Sequence, residues 1–162
     1  GALGHGLSFC VGLALGLRQD GLRNRVFVLL GDGELAEGSV WEGAMAASQY
    51  KLDNLVAIVD RNGLQINGNT EDVMSLEPFS EKWRAFGWEV VEVDGNDIEQ
   101  LVDVLEQTPR VAGKPTLIVA NTVKGKGISF AENVAKWHHH VPSKEEYALA
   151  MDELSKQLEV LQ

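Results

Sequence analysis

The sequence predicts a three-layer α/β fold, in which a parallel sheet lies between helices on both of its faces. Three short segments that consist almost entirely of apolar residues, at 26–30, 55–59 and 116–120, carry this prediction. Helical patterns separate these runs, and continuous apolar strands that alternate with helices are typical of parallel sheets buried on both faces. With 162 residues, of which 44% are hydrophobic, the chain has the length of one domain with a real core.

Each element follows from a local pattern. In order, we expect a helix at 7–20, a strand at 26–30, a helix, a strand at 55–59, a short helix, a strand at 88–93, a helix at 98–105, a strand at 116–120 and a final helix. The first helix is apolar nearly all round, which predicts burial between layers. Ser80 is expected to cap the short helix, and Ser143 with Glu146 to form a capping box for the last one.

Polar residues interrupt the chain where the first two strands end. Gly31, Asp32 and Gly33 follow the first strand, and Asn62 follows the second. Because ligands of parallel sheets bind at the carboxyl ends of strands, Asp32 and Asn62 are expected to lie close together. Their oxygens suit Mg²⁺ or Ca²⁺, while the glycines and the following helix suit a phosphate. The prediction is a metal–diphosphate site; the alternative is a capped turn and an unrelated loop Asn.

Composition argues against several classes of function. The formal net charge of −10 disfavours non-specific binding to nucleic acid or to anionic membranes, so neither is expected as a partner. A phosphate would then have to be held by local donors and a metal. The single cysteine, Cys10, leaves no internal disulfide and fits a cytoplasmic location. No apolar run reaches the roughly 18 residues of a transmembrane helix.

Three segments, at 31–38, 50–55 and 121–127, resemble transketolases, and most narrowly the amino-terminal subunit of the split, two-chain type. The Gly31-Asp32-Gly33 motif with Asn62 after 28 further residues resembles the thiamin diphosphate fingerprint, although Gly63 stands where the family often has a second Asn. The resemblance covers essentially the whole chain. It implies one diphosphate-type, thiamin diphosphate-binding domain over 1–162, without the stretch that precedes this region in the family.

The resemblance implies roles for individual residues. Asp32, Asn62 and the backbone carbonyl of Leu64 would hold Mg²⁺, with Ca²⁺ as a possible substitute. The residues that would contact thiamin diphosphate are Gly1, Ala2, Leu3, Gly31, Gly33, Glu34, Asn62 and Ile66. His138 or His139 would be the catalytic histidine that reaches cofactor and substrate, with His138 favoured and His140 a bystander. A histidine suits this task because its pKa lies near neutrality.

The implied activity is transfer of a two-carbon ketol unit from a ketose phosphate to an aldose. In the family, the Glu that activates the cofactor lies on another domain. The expected partner is therefore a carboxy-terminal subunit with a pyrimidine-binding domain, in a two-plus-two heterotetramer, and the chain alone is expected to be inactive. The alternatives are deoxyxylulose-phosphate synthase or a 2-oxo acid dehydrogenase alpha subunit, a nicotinamide-nucleotide binder, and a non-catalytic cofactor-binding subunit.

Overall fold

The computed structural model describes residues 2–160, without the side chain of Val160, and contains two sheets. The strands are β1 (Val26–Gly31), β2 (Leu55–Arg61), β3 (Leu64–Gln65), β4 (Gly68–Asn69), β5 (Glu89–Asp94) and β6 (Thr116–Asn121). The helices are α1 (Gly6–Gln19), α2 (Gly38–Gln49), α3 (Thr70–Val73), α4 (Phe79–Ala85), α5 (Ile98–Glu106) and α6 (Lys144–Val160), with 3₁₀ turns at Gly33–Ala36 and Ala135–His138. The main sheet is parallel throughout, in the order β1-β2-β6-β5, and β3 and β4 form a small antiparallel pair.

Helices cover both faces of the main sheet. On one face α1, α2 and α4 share a core with alternate residues of β2, namely Leu55, Ala57 and Val59. On the other face α5 packs its Val104 near Val56 and Ile118. This arrangement confirms the three-layer, parallel-sheet α/β fold.

The strand register determines where the carboxyl ends meet. Gly31 of β1 lies opposite Asp60 of β2, and Arg61 of β2 lies opposite Asn121 of β6. The polar residues that follow β1 and β2 are therefore brought to one edge of the sheet, as the apolar runs predict.

Aromatic side chains tie α2 and α4 to the turn that follows β1. Trp83 is fully buried, with ring centroids 5.3 Å from Trp41 and 5.0 Å from Trp88. The Trp41 indole N–H donates to the Leu35 carbonyl at 2.8 Å, and the Trp88 indole N–H donates to the Ala44 carbonyl at 3.0 Å. The 3₁₀ turn that carries Leu35 is thus fixed by the core beneath it.

The segment after Asp32 differs from the expected helix. A 3₁₀ turn comes first, and α2 begins only at Gly38. Leu35 is fully buried, which draws the turn into the core, and Glu37 then has the extended conformation that separates the turn from α2. The backbone N–H groups beside Asp32 consequently belong to a short turn.

Helix α1 is less enclosed than its composition predicts. Leu7, Val11 and Ala14 are buried, but Phe9 and Leu13 are 73% and 45% exposed because only one side of α1 lies against the described part of the chain. None of the described helices is long and apolar enough to cross a membrane.

One predicted cap is confirmed and one is wrong. In the capping box of α6, the Glu146 N–H donates to the Ser143 hydroxyl at 3.1 Å, and the Ser143 N–H donates to the Glu146 carboxylate at 2.7 Å. Ser80 does not cap α4, because the helix already starts at Phe79 and the Ser80 hydroxyl donates to Glu92 on the adjacent β5 at 2.6 Å.

We expect Trp83→Ala to lower the free energy of unfolding by about 3–5 kcal/mol, because it empties the centre of the aromatic cluster. Urea unfolding monitored by far-UV circular dichroism measures this change. Leu158→Ala on the exposed side of α6 is the control and should change stability by no more than about 0.5 kcal/mol. Equal effects of the two substitutions would contradict the assignment of this core.

Candidate active site

A cavity of about 410 Å³ opens at the carboxyl ends of β1 and β2. Its lining comes from five separate stretches of the chain: Leu3, then Gly31, Asp32, Gly33 and Glu34, then Asp60 and Asn62, then Gln65, Ile66 and Asn67, and finally His138. Eight of these eleven residues are ones that the sequence pointed to. The fold therefore gathers most of the predicted site into one place.

Asp32 is the most deeply buried charged group of the cavity, with 1% of its surface exposed. The Gly33 N–H donates to its Oδ1 at 2.8 Å, and the Gly63 N–H donates to its Oδ2 at 2.6 Å. Arg61 also approaches Oδ2, with Nη1 at 3.3 Å. A buried carboxylate needs such partners because it has lost its water, and together they fix its orientation at the end of β1.

The residues after β2 fold back over the turn after β1. The Asn62 side-chain oxygen accepts the Leu64 N–H at 3.0 Å, which starts the tight excursion through β3 and β4. A Cβ on Gly33 would lie only 2.9 Å from the Cβ of Gln65, so the close approach of β3 requires glycine at that position. Ile66 stands 61% exposed at the rim of the cavity, with its apolar side chain open to a ligand.

Glu34 lines the cavity and also holds its wall together. Its Oε1 accepts the Gly4 N–H at 2.8 Å, and its Oε2 accepts the Gly31 N–H at 3.1 Å. The carboxylate thereby links the turn that carries Leu3 to the end of β1. Both carboxylate oxygens accept hydrogen bonds from the backbone. Glu34 therefore has a structural role in addition to the predicted cofactor contact.

Carboxylates dominate the electrostatics of the cavity. Asp32, Glu34 and Asp60 line it, and none of the described residues in its lining is Lys or Arg. Asp60 accepts a hydrogen bond from the Thr122 hydroxyl on the loop after β6. Three carboxylates in one lining favour a cation over an anion at this place.

The histidine segment reaches the cavity through a single residue. His138 closes the 3₁₀ turn Ala135–His138 and lines the cavity, whereas the exposed His139 is not among the lining residues. The neighbouring His140 turns away, with its ring 4.7 Å from that of Trp137 and its Nε2 3.3 Å from Glu146. The geometry favours His138 as the residue able to meet a ligand.

Not every described residue that the sequence suggested lines the cavity. Ala2 and Leu64 are not among the lining residues, although Leu64 lies directly between Asn62 and Gln65, which are. Gly1 is outside the described residues.

Sequence reasoning missed Asp60, Arg61, Gln65 and Asn67. Asp60 could have been found, since alternate residues of a strand share a face and Asp60 precedes Asn62 by two.

The chain matches the family described as "Transketolase, thiamine diphosphate binding domain" over residues 1–157. It is 51% identical over 162 residues to one of the subunits of the apulose-4-phosphate transketolase of Phocaeicola vulgatus, a match that covers 100% of this chain and 58% of that protein. It is 44% identical over 157 residues to a 6-deoxy-6-sulfo-D-fructose transketolase subunit of a Clostridium species, covering 97% of this chain and 57% of that protein.

A solved structure agrees with these matches. The transketolase of Campylobacter jejuni aligns with a TM-score of 0.88 at 31% identity, over 94% of this chain and 25% of that chain. The chain thus spans more than half the length of the two curated relatives and a quarter of the solved enzyme. The family match, the relatives and the fold agree with the cavity at the ends of β1 and β2. The chain therefore belongs to the transketolase family and represents its thiamine diphosphate-binding domain.

Proposed function

We propose that this chain is the diphosphate- and metal-binding part of a transketolase that moves a two-carbon ketol unit from a ketose phosphate to an aldose acceptor. The observation that carries the proposal is the cavity in which Asp32, the Asn62–Ile66 segment and His138 meet from three distant parts of the chain. Thiamin diphosphate supplies, when bound, the nucleophilic carbon and the electron sink that such a transfer needs. The residues of the chain bind it, orient it and exclude water.

The donor set fits a hard divalent cation. Asp32 offers a carboxylate whose orientation is fixed by Gly33 and Gly63, and Asn62 offers an amide oxygen at the end of the neighbouring strand. With the Leu64 carbonyl and oxygens from a diphosphate, these groups would give the all-oxygen coordination that Mg²⁺ prefers and Ca²⁺ tolerates. The excess of carboxylates in the lining makes the cation necessary, since without it the cavity would repel the diphosphate.

Other lining groups suit the remaining parts of the cofactor. The open backbone at Gly31 allows close approach of the diphosphate, and Gly33 lines the cavity beside it. The apolar side chains of Leu3 and Ile66 offer contact to the rings of the cofactor. His138, at the mouth of the cavity, is proposed to donate or accept a proton at a substrate oxygen, with His139 as the alternative one residue away.

A second subunit is proposed to complete the enzyme. The relatives at 51% and 44% identity are each named as a subunit of a transketolase, which supports assembly with a second subunit. The partner proposed here is a carboxy-terminal, pyrimidine-binding subunit in a two-plus-two arrangement. The names of these relatives give two different ketoses, so the donor proposed here is defined only by class, as a ketose phosphate. The single cysteine supports a location in the cytoplasm.

Asp32→Asn should weaken the Mg²⁺-dependent binding of thiamin diphosphate by roughly 100-fold or more, because an amide cannot replace the anionic metal ligand. Isothermal titration calorimetry with and without Mg²⁺ measures the effect. Asp72→Asn, an exposed carboxylate on α3, is the control and should leave binding unchanged. Unchanged binding in Asp32→Asn would refute the metal site.

His138→Ala should reduce turnover roughly 10²–10⁴-fold while the dissociation constant of thiamin diphosphate stays nearly constant. The measurement is a ketose-to-aldose transfer assay with the second subunit present, beside a cofactor titration. His139→Ala is the matched control and should retain activity. The reverse result, with His139→Ala inactive, would move the catalytic role by one residue.

The chain alone should show no two-carbon transfer, and the mixture with its second subunit should show it. Calorimetric titration of thiamin diphosphate with Mg²⁺ into each sample tests the same point, with tighter binding expected in the mixture. Full transfer activity of the isolated chain would contradict the proposed division of the site.

A further inference from the structure

Arg61 is a nearly buried guanidinium beside the proposed metal site, and no step of the proposed reaction uses it. Its side chain is 12% exposed. Nη1 lies 3.3 Å from Asp32 Oδ2 and donates to the Thr70 hydroxyl at 2.8 Å. Nη2 donates to Glu71 at 2.8 Å and to Glu77 at 3.0 Å. One side chain therefore links the end of β1 to the start of α3 and to the loop that precedes α4.

The arrangement is held from several directions. Glu71 accepts hydrogen bonds from the Ser75 hydroxyl at 2.7 Å and from the Leu76 N–H at 3.2 Å, so the anchor of Arg61 is itself anchored. The Arg61 guanidinium also lies 5.3 Å from the ring centroid of the buried Phe79. Its position is fixed by packing as well as by charge, and it has little freedom to follow a moving carboxylate.

Asp32 keeps room for a metal in spite of these bonds. A carboxylate offers about four acceptor positions, and Gly33, Gly63 and Arg61 occupy three of them. Two of the three fall on Oδ2, which leaves Oδ1 with only the Gly33 N–H. The pattern directs the free acceptor capacity to one oxygen.

Arg61 also holds the loop that carries the other proposed metal ligands, Asn62 and Leu64. Asn62 and Leu64 lie on the excursion between β2 and α3, and Arg61 holds the start of α3 through Thr70 and Glu71. The Thr70 N–H also donates to the Gly63 carbonyl at 2.9 Å, which closes this excursion into a compact loop. Arg61 thus fastens both sides of the site, Asp32 on β1 and the loop after β2.

We propose that Arg61 is a positioning residue for the metal site, which sets the separation between the Asp32 carboxylate and the loop of Asn62 and Leu64 before the metal binds. This inference rests on the proposed function, and it assigns to this chain a residue that does not itself touch the metal. Preorganised ligands bind a cation more tightly because less ordering is needed on binding.

Two other roles for Arg61 give different results. As a nearby positive charge alone, Arg61 would repel a divalent cation, so its removal would tighten metal binding. As a purely structural link, its removal would lower the melting temperature and leave the metal affinity of the folded protein unchanged. A positioning role predicts that removal of Arg61 weakens metal binding. The charge role predicts tighter metal binding, and the structural role predicts no change in metal affinity.

The test measures Mn²⁺ binding to the protein assembled with its second subunit, in the presence of thiamin diphosphate. Free Mn²⁺ is quantified by electron paramagnetic resonance and corrected with a protein-free sample. Arg61→Met should raise the dissociation constant of Mn²⁺ at least about tenfold, the size of effect typical for groups that orient metal ligands. Arg61→Lys should recover part of the loss, because it restores the charge without the two-sided contact of the guanidinium.

Arg84→Met is the control, since Arg84 is a half-exposed arginine of α4 that pairs with Glu81 and should leave Mn²⁺ binding unchanged. Unchanged or tighter Mn²⁺ binding in Arg61→Met would overturn the positioning role alone. Wild-type protein without cofactor-dependent Mn²⁺ binding would overturn the proposed function itself. If Arg61→Met does not fold, Glu71→Gln loosens the anchor instead and should weaken Mn²⁺ binding about threefold; no change would again overturn the inference.

Discussion

The burial of the Asp32 carboxylate is the constraint on which the rest of the site depends. An ionised carboxylate deprived of water costs several kcal/mol unless hydrogen bonds and an opposite charge compensate it. Gly33, Gly63 and Arg61 provide that compensation from three positions, two of them 31 and 29 residues further along the chain. Satisfying one buried charge therefore forces the ends of β1 and β2 together, and the cavity is the space that this closure leaves.

The sheet makes the closure possible, and the aromatic core keeps it in place. Parallel register sets Gly31 beside Asp60, so the residues that follow each strand emerge at the same level. Trp41, packed against Trp83, donates to the Leu35 carbonyl in the turn after Asp32. The packing of α2 against α4 therefore helps to fix the geometry of the cavity.

The negative charge of the domain limits which ligands its cavity can bind alone. The net charge of −10 and the three carboxylates around the cavity disfavour a diphosphate without a compensating positive charge, which is why a divalent cation is part of the proposed site. Its relatives carry the name transketolase, and its fold aligns with a solved transketolase. Glu34, for which a cofactor contact stays a prediction, joins Gly4 to Gly31 and stabilises the wall of the cavity.

The sequence by itself determined the parallel α/β sheet and the pairing of Asp32 with Asn62, because both follow from short-range patterns. The expectation that Leu3, Ile66 and His138 belong to the site came from the resemblance to transketolases. Apolar runs mark buried strands, and the residues just after them fall at one edge of any parallel sheet, which is why Asp32 and Asn62 could be paired in advance. Only the tertiary structure decided the strand order, the 3₁₀ turn before α2, the exposure of α1, the meeting of His138 with the cavity and the partners of Arg61. Each of these depends on distances between segments far apart in the chain, where burial and hydrogen bonding compete, and local periodicity carries no information about that competition.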